Sequence, residues 1–194
     1  MHSSTFFLTS ADELALFVYR WLPEATPKAV VQIAHGLVGH AGRYARLAEA
    51  LTRAGFAVYA GDQRSHSRTA PAQKDIGFFA HRDRGRKCVD DLWGLNQRIA
   101  TDHPGLPIVL IGLSMRSFMV QHFKGLEQLV SAYHTAGVQH VTFRHYPEAR
   151  YELLNVTGRG EVTHELLAWL AEVTGHEDYS GSDRPQSTGR RPWA

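Results

Sequence analysis

Residues 107–121 of the chain read PIVLIGLSMRSFMVQ, and this stretch decides its fold class. Residues 107–111 form a short apolar run, which is typical of a strand buried on both faces of a sheet. Helical character begins at Met115, only a short turn later. Because a buried strand that runs directly into a helix is the repeating unit of α/β proteins, the stretch predicts that class.

Strand-like and helix-like patterns alternate on both sides of this stretch. They predict strands at residues 5–8, 15–21, 29–34, 56–60 and 138–145, and helices at residues 43–54, 84–101, 115–136 and 162–173. The alternation predicts an α/β fold with a mostly parallel sheet flanked by helices.

Length and composition predict one globular domain. The chain has 194 residues, of which 43% are hydrophobic and 21% are charged, so it can form one sizeable core. From residue 175 onward Gly, Ser, Asp, Arg and Pro become frequent. We therefore expect a folded domain over residues 1–174 and a disordered tail over residues 175–194. The net charge of +2 gives no general electrostatic reason to expect a nucleic-acid partner.

The cysteine count and the N-terminal sequence bear on cellular location. Cys88 is the only cysteine, so an intrachain disulfide is impossible and a reducing compartment is expected. The N-terminus lacks the pattern of a secretion signal, and no stretch approaches the ~20 apolar residues that span a bilayer. We therefore expect a soluble, cytoplasmic protein without a membrane span. No residue cluster has the spacing of a zinc site, and we expect no metal and no cofactor.

The turn between the strand and the helix contains a candidate catalytic residue. The run Gly112-Leu113-Ser114-Met115-Arg116 resembles a nucleophile elbow, a strained turn that exposes a serine hydroxyl at the start of a helix. Ser114 would be the nucleophile, and the backbone N–H of Met115 could donate a hydrogen bond to the oxyanion that forms. The alternative is an ordinary helix-capping serine.

Residues 35–69, HGLVGHAGRYARLAEALTRAGFAVYAGDQRSHSRT, favour the elbow interpretation. They resemble, in order, the oxyanion loop, first helix, next strand and following loop of the monoacylglycerol lipase and lysophospholipase branch of the α/β-hydrolases. The resemblance extends over about residues 12–173 and implies an ester-hydrolysing fold. It implies that His35 and Gly36 shape the site, and that the amide of Leu37 donates the second oxyanion hydrogen bond.

Several residues depart from the pattern of this branch. Arg116 stands where the elbow of the branch carries glycine, and its bulk needs new space at a tightly packed turn. Leu113 replaces the usual histidine of the elbow. Ser65 and Ser67 stand where the loop after the strand usually has glycines, whereas Asp62 and Arg64 in the same loop match the branch.

The most consequential departure concerns the catalytic base. Residues 137–170 resemble the final strand, the catalytic-histidine loop and the last helix of the branch, and Tyr151 stands at the histidine position. Tyrosine has a reference pKa near ~10, against ~6.5 for histidine, so at neutral pH it is rarely a base. Loss of the base commonly removes several orders of magnitude of rate.

A gap follows the elbow helix. The branch has a lid, two further strands and a catalytic aspartate where this chain runs from residues 121–123 almost directly into residues 124–127. No aspartate lies between Asp102 and Asp178, so we expect a shortened, lidless fold that lacks the acid. The predicted strand at residues 138–145 could take the vacated place beside residues 107–111. Alternatively, the cut edge of the sheet pairs with a second chain to give a homodimer.

Two functions of different classes remain open. The leading hypothesis is hydrolysis of small carboxylic esters, with a short ester or an acylglycerol-like molecule as ligand, Ser114 as nucleophile and Tyr151 in an undefined role. The alternative is a catalytically silent remnant, or an engineered minimal fold, that acts as a binding or dimerising protein. Other candidates for the base are His66, His122, His134, His140 and His145, and a Ser–Tyr–Lys arrangement would use Lys124.

Overall fold

The computed structural model describes residues 1–36, 39–70, 72, 76, 84–112 and 159–175. The strands of this part of the chain are β1 (His2–Thr9), β2 (Ala15–Leu22), β3 (Ala29–Ala34), β4 (Phe56–Gly61) and β5 (Ile108–Gly112). The α-helices are α1 (Ala45–Arg53), α2 (Arg84–Asp102) and α3 (Arg159–Val173). Two short 3₁₀ turns, Ala41–Tyr44 and Ser67–Thr69, follow β3 and β4 respectively.

The five strands form one mixed sheet in the order β1-β2-β4-β3-β5. β1 and β2 pair antiparallel because a short loop joins them, and β2 pairs antiparallel with β4. β3 pairs parallel with both β4 and β5, and the crossovers between these strands contain α1 and α2. The predicted α/β class with its helix-flanked, mostly parallel sheet is therefore confirmed, with the antiparallel pairs confined to one end.

Both faces of the sheet are covered, which explains why β3 is buried along its whole length. On one face, Val31 and Ile33 of β3 pack in a cluster with Leu51 of α1 and Leu170 of α3. On the other face, a second buried cluster joins the sheet to α2. Its members are Val18, Val30, Ala57, Tyr59, Leu95 and Ile99. The sheet is therefore the middle of three layers. Neither face of β3 is exposed to solvent, which agrees with its almost entirely apolar sequence.

Gln32 is the polar exception within β3, and it is 1% exposed. Its side-chain amide donates to the carbonyl of Leu92 at 2.8 Å, and its side-chain carbonyl accepts from Asn96 at 3.1 Å. Both partners lie on α2, so the buried amide is satisfied on both its donor and acceptor sides. These bonds also fix the position of α2 on the sheet.

β5 is the outermost strand of the described sheet, and its Leu110 is 41% exposed. The expectation that this strand is central and buried stays a prediction, because residues 113–158, which include the strand predicted to lie beside it, are not described. The predicted helix at residues 115–136, the strand at residues 138–145 and the tail beyond Gly175 lie outside the described residues.

Helices long and apolar enough to cross a membrane do not occur within the described residues.

Candidate active site at the carboxyl edge of the sheet

Three parallel strands end side by side. In the register of the sheet, Ala34 at the end of β3 pairs with Gly61 of β4 on one side and with Gly112 of β5 on the other. The chain segments that follow these three residues therefore leave the sheet at adjacent points of one edge. The carboxyl edge of parallel strands is where open α/β sheets place their binding and catalytic groups.

His35, the first residue after β3, is buried with only 2% exposure. Its Nε2 accepts the backbone N–H of Gln63 at 2.8 Å, and its Nδ1 lies 2.8 Å from the carbonyl oxygen of Gly36. An N–H can only donate and a carbonyl can only accept, so the proton must reside on Nδ1. Burial lowers the pKa of the ring, which keeps it neutral at pH 7. Both ring nitrogens are therefore committed to backbone partners, and His35 orients the loop rather than acting as a base.

The loop after β3 is held at its start by Gln63. The side-chain amide of this residue donates to the carbonyl oxygen of His35 at 2.5 Å. Within the loop, the N–H of Gly39 donates to the carbonyl oxygen of Gly36 at 3.0 Å. The peptide groups at the beginning of the loop thus have fixed hydrogen-bond partners.

The same loop is held at its end by Asp62, which is 1% exposed. One carboxylate oxygen accepts the N–H of Ala41 at 2.7 Å, and the other accepts the N–H of Arg68 at 3.2 Å. The backbone of Asp62 is itself bonded to Phe17 of β2 and to the hydroxyl of Thr69. Two consecutive residues after β4, Asp62 and Gln63, therefore fix both ends of the segment between residues 36 and 41.

Arg64 anchors this region to the rest of the molecule and is 4% exposed. Its guanidinium makes two bonds of 2.7 Å to Asp91 of α2 and two longer bonds, of 3.1 and 3.2 Å, to Asp12 of the β1–β2 loop. Lys87 also contacts Asp12 at 2.7 Å. Hydrogen bonds from Arg64 and Lys87 hold the pKa of Asp12 well below its usual range, and the bonds that Arg64 donates to Asp91 raise the pKa of Arg64. Burial raises the pKa of Asp91, and the guanidinium of Arg64 opposes that effect. The four groups join three separate segments.

The two serines that depart from the branch pattern both adopt a left-handed backbone. The φ angle is 67° at Ser65 and 44° at Ser67. This region of conformational space favours glycine because a Cβ atom crowds the neighbouring carbonyl. The structure thus explains the glycines of the branch and shows that the serines strain the loop. His66, between them, is buried, and its Nδ1 lies 3.0 Å from the carbonyl oxygen of Arg64.

Replacing Ser67 by glycine should stabilise the protein by about 0.5–1 kcal/mol, because the exposed side chain imposes a strained φ that glycine adopts freely. Thermal unfolding should show a rise in Tm of about 1–4 °C. Ser67→Ala is the matched control, since it removes the hydroxyl but retains the Cβ and its strain. An equal stabilisation by alanine would contradict the backbone explanation.

Of the residues expected to form the site, the structure describes His35 and Gly36. Five others, namely Leu37, Ser114, Met115, Arg116 and Tyr151, lie outside the described residues. Sequence reasoning did not identify Gln63 as a contact of His35, nor Asp12 and Asp91 as partners of Arg64. The only signal for Gln63 is its place directly after a buried strand. Among the described residues, no group of three metal-binding side chains comes together.

Comparison with known proteins identifies the family. A family profile described as "Serine aminopeptidase, S33" matches residues 25–129, which is more than half of the chain. The chain belongs to this family. The match includes β3, β4, β5 and the loops of the carboxyl edge.

The individual relatives of this serine aminopeptidase family member include lipases. A monoacylglycerol lipase of Mycolicibacterium smegmatis is 39% identical over 98 residues, 49% of this chain and 32% of that protein. The monoglyceride lipase of Rattus norvegicus is 33% identical over 108 residues, 56% of this chain and 34% of that protein. Protein K6 of vaccinia virus is 42% identical over 63 residues, 32% of this chain and 76% of that protein. The chain thus spans about a third of the length of the lipases it matches.

Solved structures agree with this assignment. A structure titled "Lipase (Open form)" superposes with a TM-score of 0.52 at 34% identity, and covers 58% of this chain and 36% of that chain. A thermostable carboxyl esterase from Bacillus coagulans superposes with a TM-score of 0.55 at 16% identity, over 96% of this chain and 60% of that chain. The second likeness concerns the fold alone. The family member is therefore an α/β-hydrolase similar to the monoacylglycerol lipases, as the resemblance in the sequence implied.

Proposed function

We propose that this α/β-hydrolase cleaves small carboxylic esters with Ser114 as nucleophile and the amides of Leu37 and Met115 as oxyanion hole. The observation that carries the proposal is the pairing of Ala34 with Gly112. In the sequence, Ser114 follows Gly112 by two residues and Leu37 follows Ala34 by three, so both proposed groups come directly after the ends of adjacent strands.

Adjacent strands are about 5 Å apart, so the described ends of β3 and β5 leave the sheet side by side, which supports a shared site for the residues that follow them. In the proposed reaction the Ser114 hydroxyl oxygen bonds to the ester carbonyl carbon, and the oxyanion accepts two backbone N–H groups. The alcohol leaves with a proton, and water then cleaves the acyl-enzyme to release the acid and restore the serine. The hydrogen bonds that fix the backbone at His35 and Gly36 support the same edge as the site.

The proton acceptor of this reaction is not His35, because its Nε2 lone pair is bonded to the N–H of Gln63. Tyr151 stands at the position of the catalytic histidine in the resemblance, and its phenol is a poor acceptor at neutral pH. Turnover should therefore be slow. We propose short-chain esters and glycerol esters as substrates, since the expected lack of a lid leaves little apolar surface to bind a long acyl chain.

Labelling with a fluorophosphonate probe tests the proposal, because the probe reacts only with an activated serine. The wild-type chain should label faster than its denatured form, and Ser114→Ala should abolish the labelling. Ser3→Ala, on the exposed strand β1, is the matched control and should label like the wild type. Labelling that persists in Ser114→Ala, or a native chain that reacts no faster than the denatured one, would refute the proposal.

The competing function, a binding or dimerising protein without catalysis, draws support from β5. Within the described residues β5 pairs with β3 alone, and its Leu110 is 41% exposed. An open strand edge can pair with another strand, either of this chain or of a second copy. Light scattering distinguishes these two arrangements, since a mass of twice 21.7 kDa would indicate a homodimer.

A cytoplasmic location and a single folded domain over residues 1–174 are further parts of our proposal.

A further inference from the structure

The contact between Gln63 and His35 has two parts that act on the same loop. The backbone N–H of Gln63 donates to Nε2 of His35 at 2.8 Å, and its side-chain amide donates to the carbonyl oxygen of His35 at 2.5 Å. The first bond selects the ring tautomer that carries its proton on Nδ1. The second bond holds the peptide group that joins His35 to Gly36.

The next peptide group is fixed through the ring. Nδ1–H of His35 and N–H of Gly39 both donate to the carbonyl oxygen of Gly36, at 2.8 and 3.0 Å. A trans peptide is planar, and its N–H points away from its C=O. The N–H that shares a peptide bond with the Gly36 carbonyl is the one we assign to the oxyanion hole. In the proposed site, bonds that hold the Gly36 carbonyl would therefore orient this donor.

We propose that Gln63 is a positioning residue for the oxyanion hole. It acts through His35, by holding the carbonyl of that residue and by keeping its ring in the tautomer that bonds Gly36. The inference rests on the proposed function, because it assigns a purpose to the direction of the loop amide. Gln63 is half-buried and bonded to His35 on two sides, so its side chain is not free to take another role in the same conformation.

The contact needs a hydrogen-bond donor on the side chain of residue 63. The carbonyl of His35 accepts, so the group that faces it must donate, and glutamine presents its NH₂ there. Gln63→Glu replaces this donor by a carboxylate oxygen that repels the carbonyl. Gln63→Met keeps a similar length, removes the donor and adds no charge. If the two variants have the same effect, that effect arises from loss of the hydrogen bond and not from the new charge of Gln63→Glu.

The kinetic test compares these variants with Gln97→Glu, which makes the same chemical change on an exposed position of α2. Both Gln63 variants should lower the rate of fluorophosphonate labelling and the kcat for a short ester about tenfold or more, since removal of a whole oxyanion donor costs about 10²–10³. KM should stay within about twofold, because the loop amide acts on the transition state. Gln97→Glu should match the wild type. Unchanged kcat in both Gln63 variants of an active enzyme would overturn the inference.

A second measurement is independent of activity. Hydrogen exchange at the amide of Gly39, which donates to Gly36, should accelerate about tenfold in Gln63→Met, whereas the amide of Val58 inside β4 should not change. If the wild type has no esterase activity, the proposed function fails, and this exchange still shows whether Gln63 positions the loop after β3. Faster exchange at Gly39 alone supports the positioning role, and unchanged exchange overturns it. Equal acceleration at Val58 would show general destabilisation and would also overturn it.

Discussion

Arg64→Met will lower the free energy of unfolding by about 3–5 kcal/mol, because it leaves the carboxylate of Asp91 in the interior without its partner. The guanidinium is 4% exposed and makes two bonds of 2.7 Å to Asp91. Methionine fills much of the same volume but cannot donate a hydrogen bond. The change can be measured by urea unfolding followed through tryptophan fluorescence, since the chain has four tryptophans.

A double variant tests whether the loss arises from the unpaired charge. Arg64→Met with Asp91→Leu removes both partners, and the protein should regain at least about half of the lost stability. Asp12 keeps its contacts with Lys87 and Ser10 in this variant. Arg98→Met, which removes an exposed ion pair within α2, is the control and should cost less than about 1 kcal/mol. A double variant as unstable as the sum of its two single changes would contradict the explanation.

Asp62→Ala should destabilise the fold by about 3 kcal/mol, because it leaves two backbone N–H groups without acceptors. The carboxylate is 1% exposed and accepts the N–H groups of Ala41 and Arg68. These bonds close the loop after β3 against the loop after β4, so the loss should also quicken hydrogen exchange at both amides. Chemical denaturation gives the stability change, and exchange measured by NMR locates it.

The isosteric variant Asp62→Asn separates the two bonds. Its remaining side-chain oxygen can serve Ala41, whereas its NH₂ would face the N–H of Arg68, so about half of the destabilisation should remain. Asp90→Ala on α2 is the control, because Asp90 is about half exposed and lies 3.9 Å from Arg86. Its effect should stay below about 0.5 kcal/mol. If Asp62→Ala is no more destabilising than Asp90→Ala, the closing role of Asp62 is wrong.

The sequence was sufficient to predict those strands and helices that can be recognised from the pattern of neighbouring residues. β3 was predicted with its observed bounds, and β4, α1 and α2 were predicted to within a few residues. An apolar run bounded by turn residues, or a helical period, identifies a strand or a helix from neighbouring residues alone. The resemblance to the α/β-hydrolases could also be recognised from the sequence. The residues from His35 to Thr69 combine a strand end, a loop, a helix and a second strand end in the order that this family shows.

The tertiary structure alone decided which side chains hold the site together. Arg64 meets Asp12, 52 positions away, and Asp91, 27 positions away, while Gln63 meets His35 across 28 positions. The register of the parallel strands β3 and β4 brings Gln63 to His35, and the positions of α2 and the β1–β2 loop bring Asp91 and Asp12 to Arg64. A local pattern contains no information about that register or about those positions.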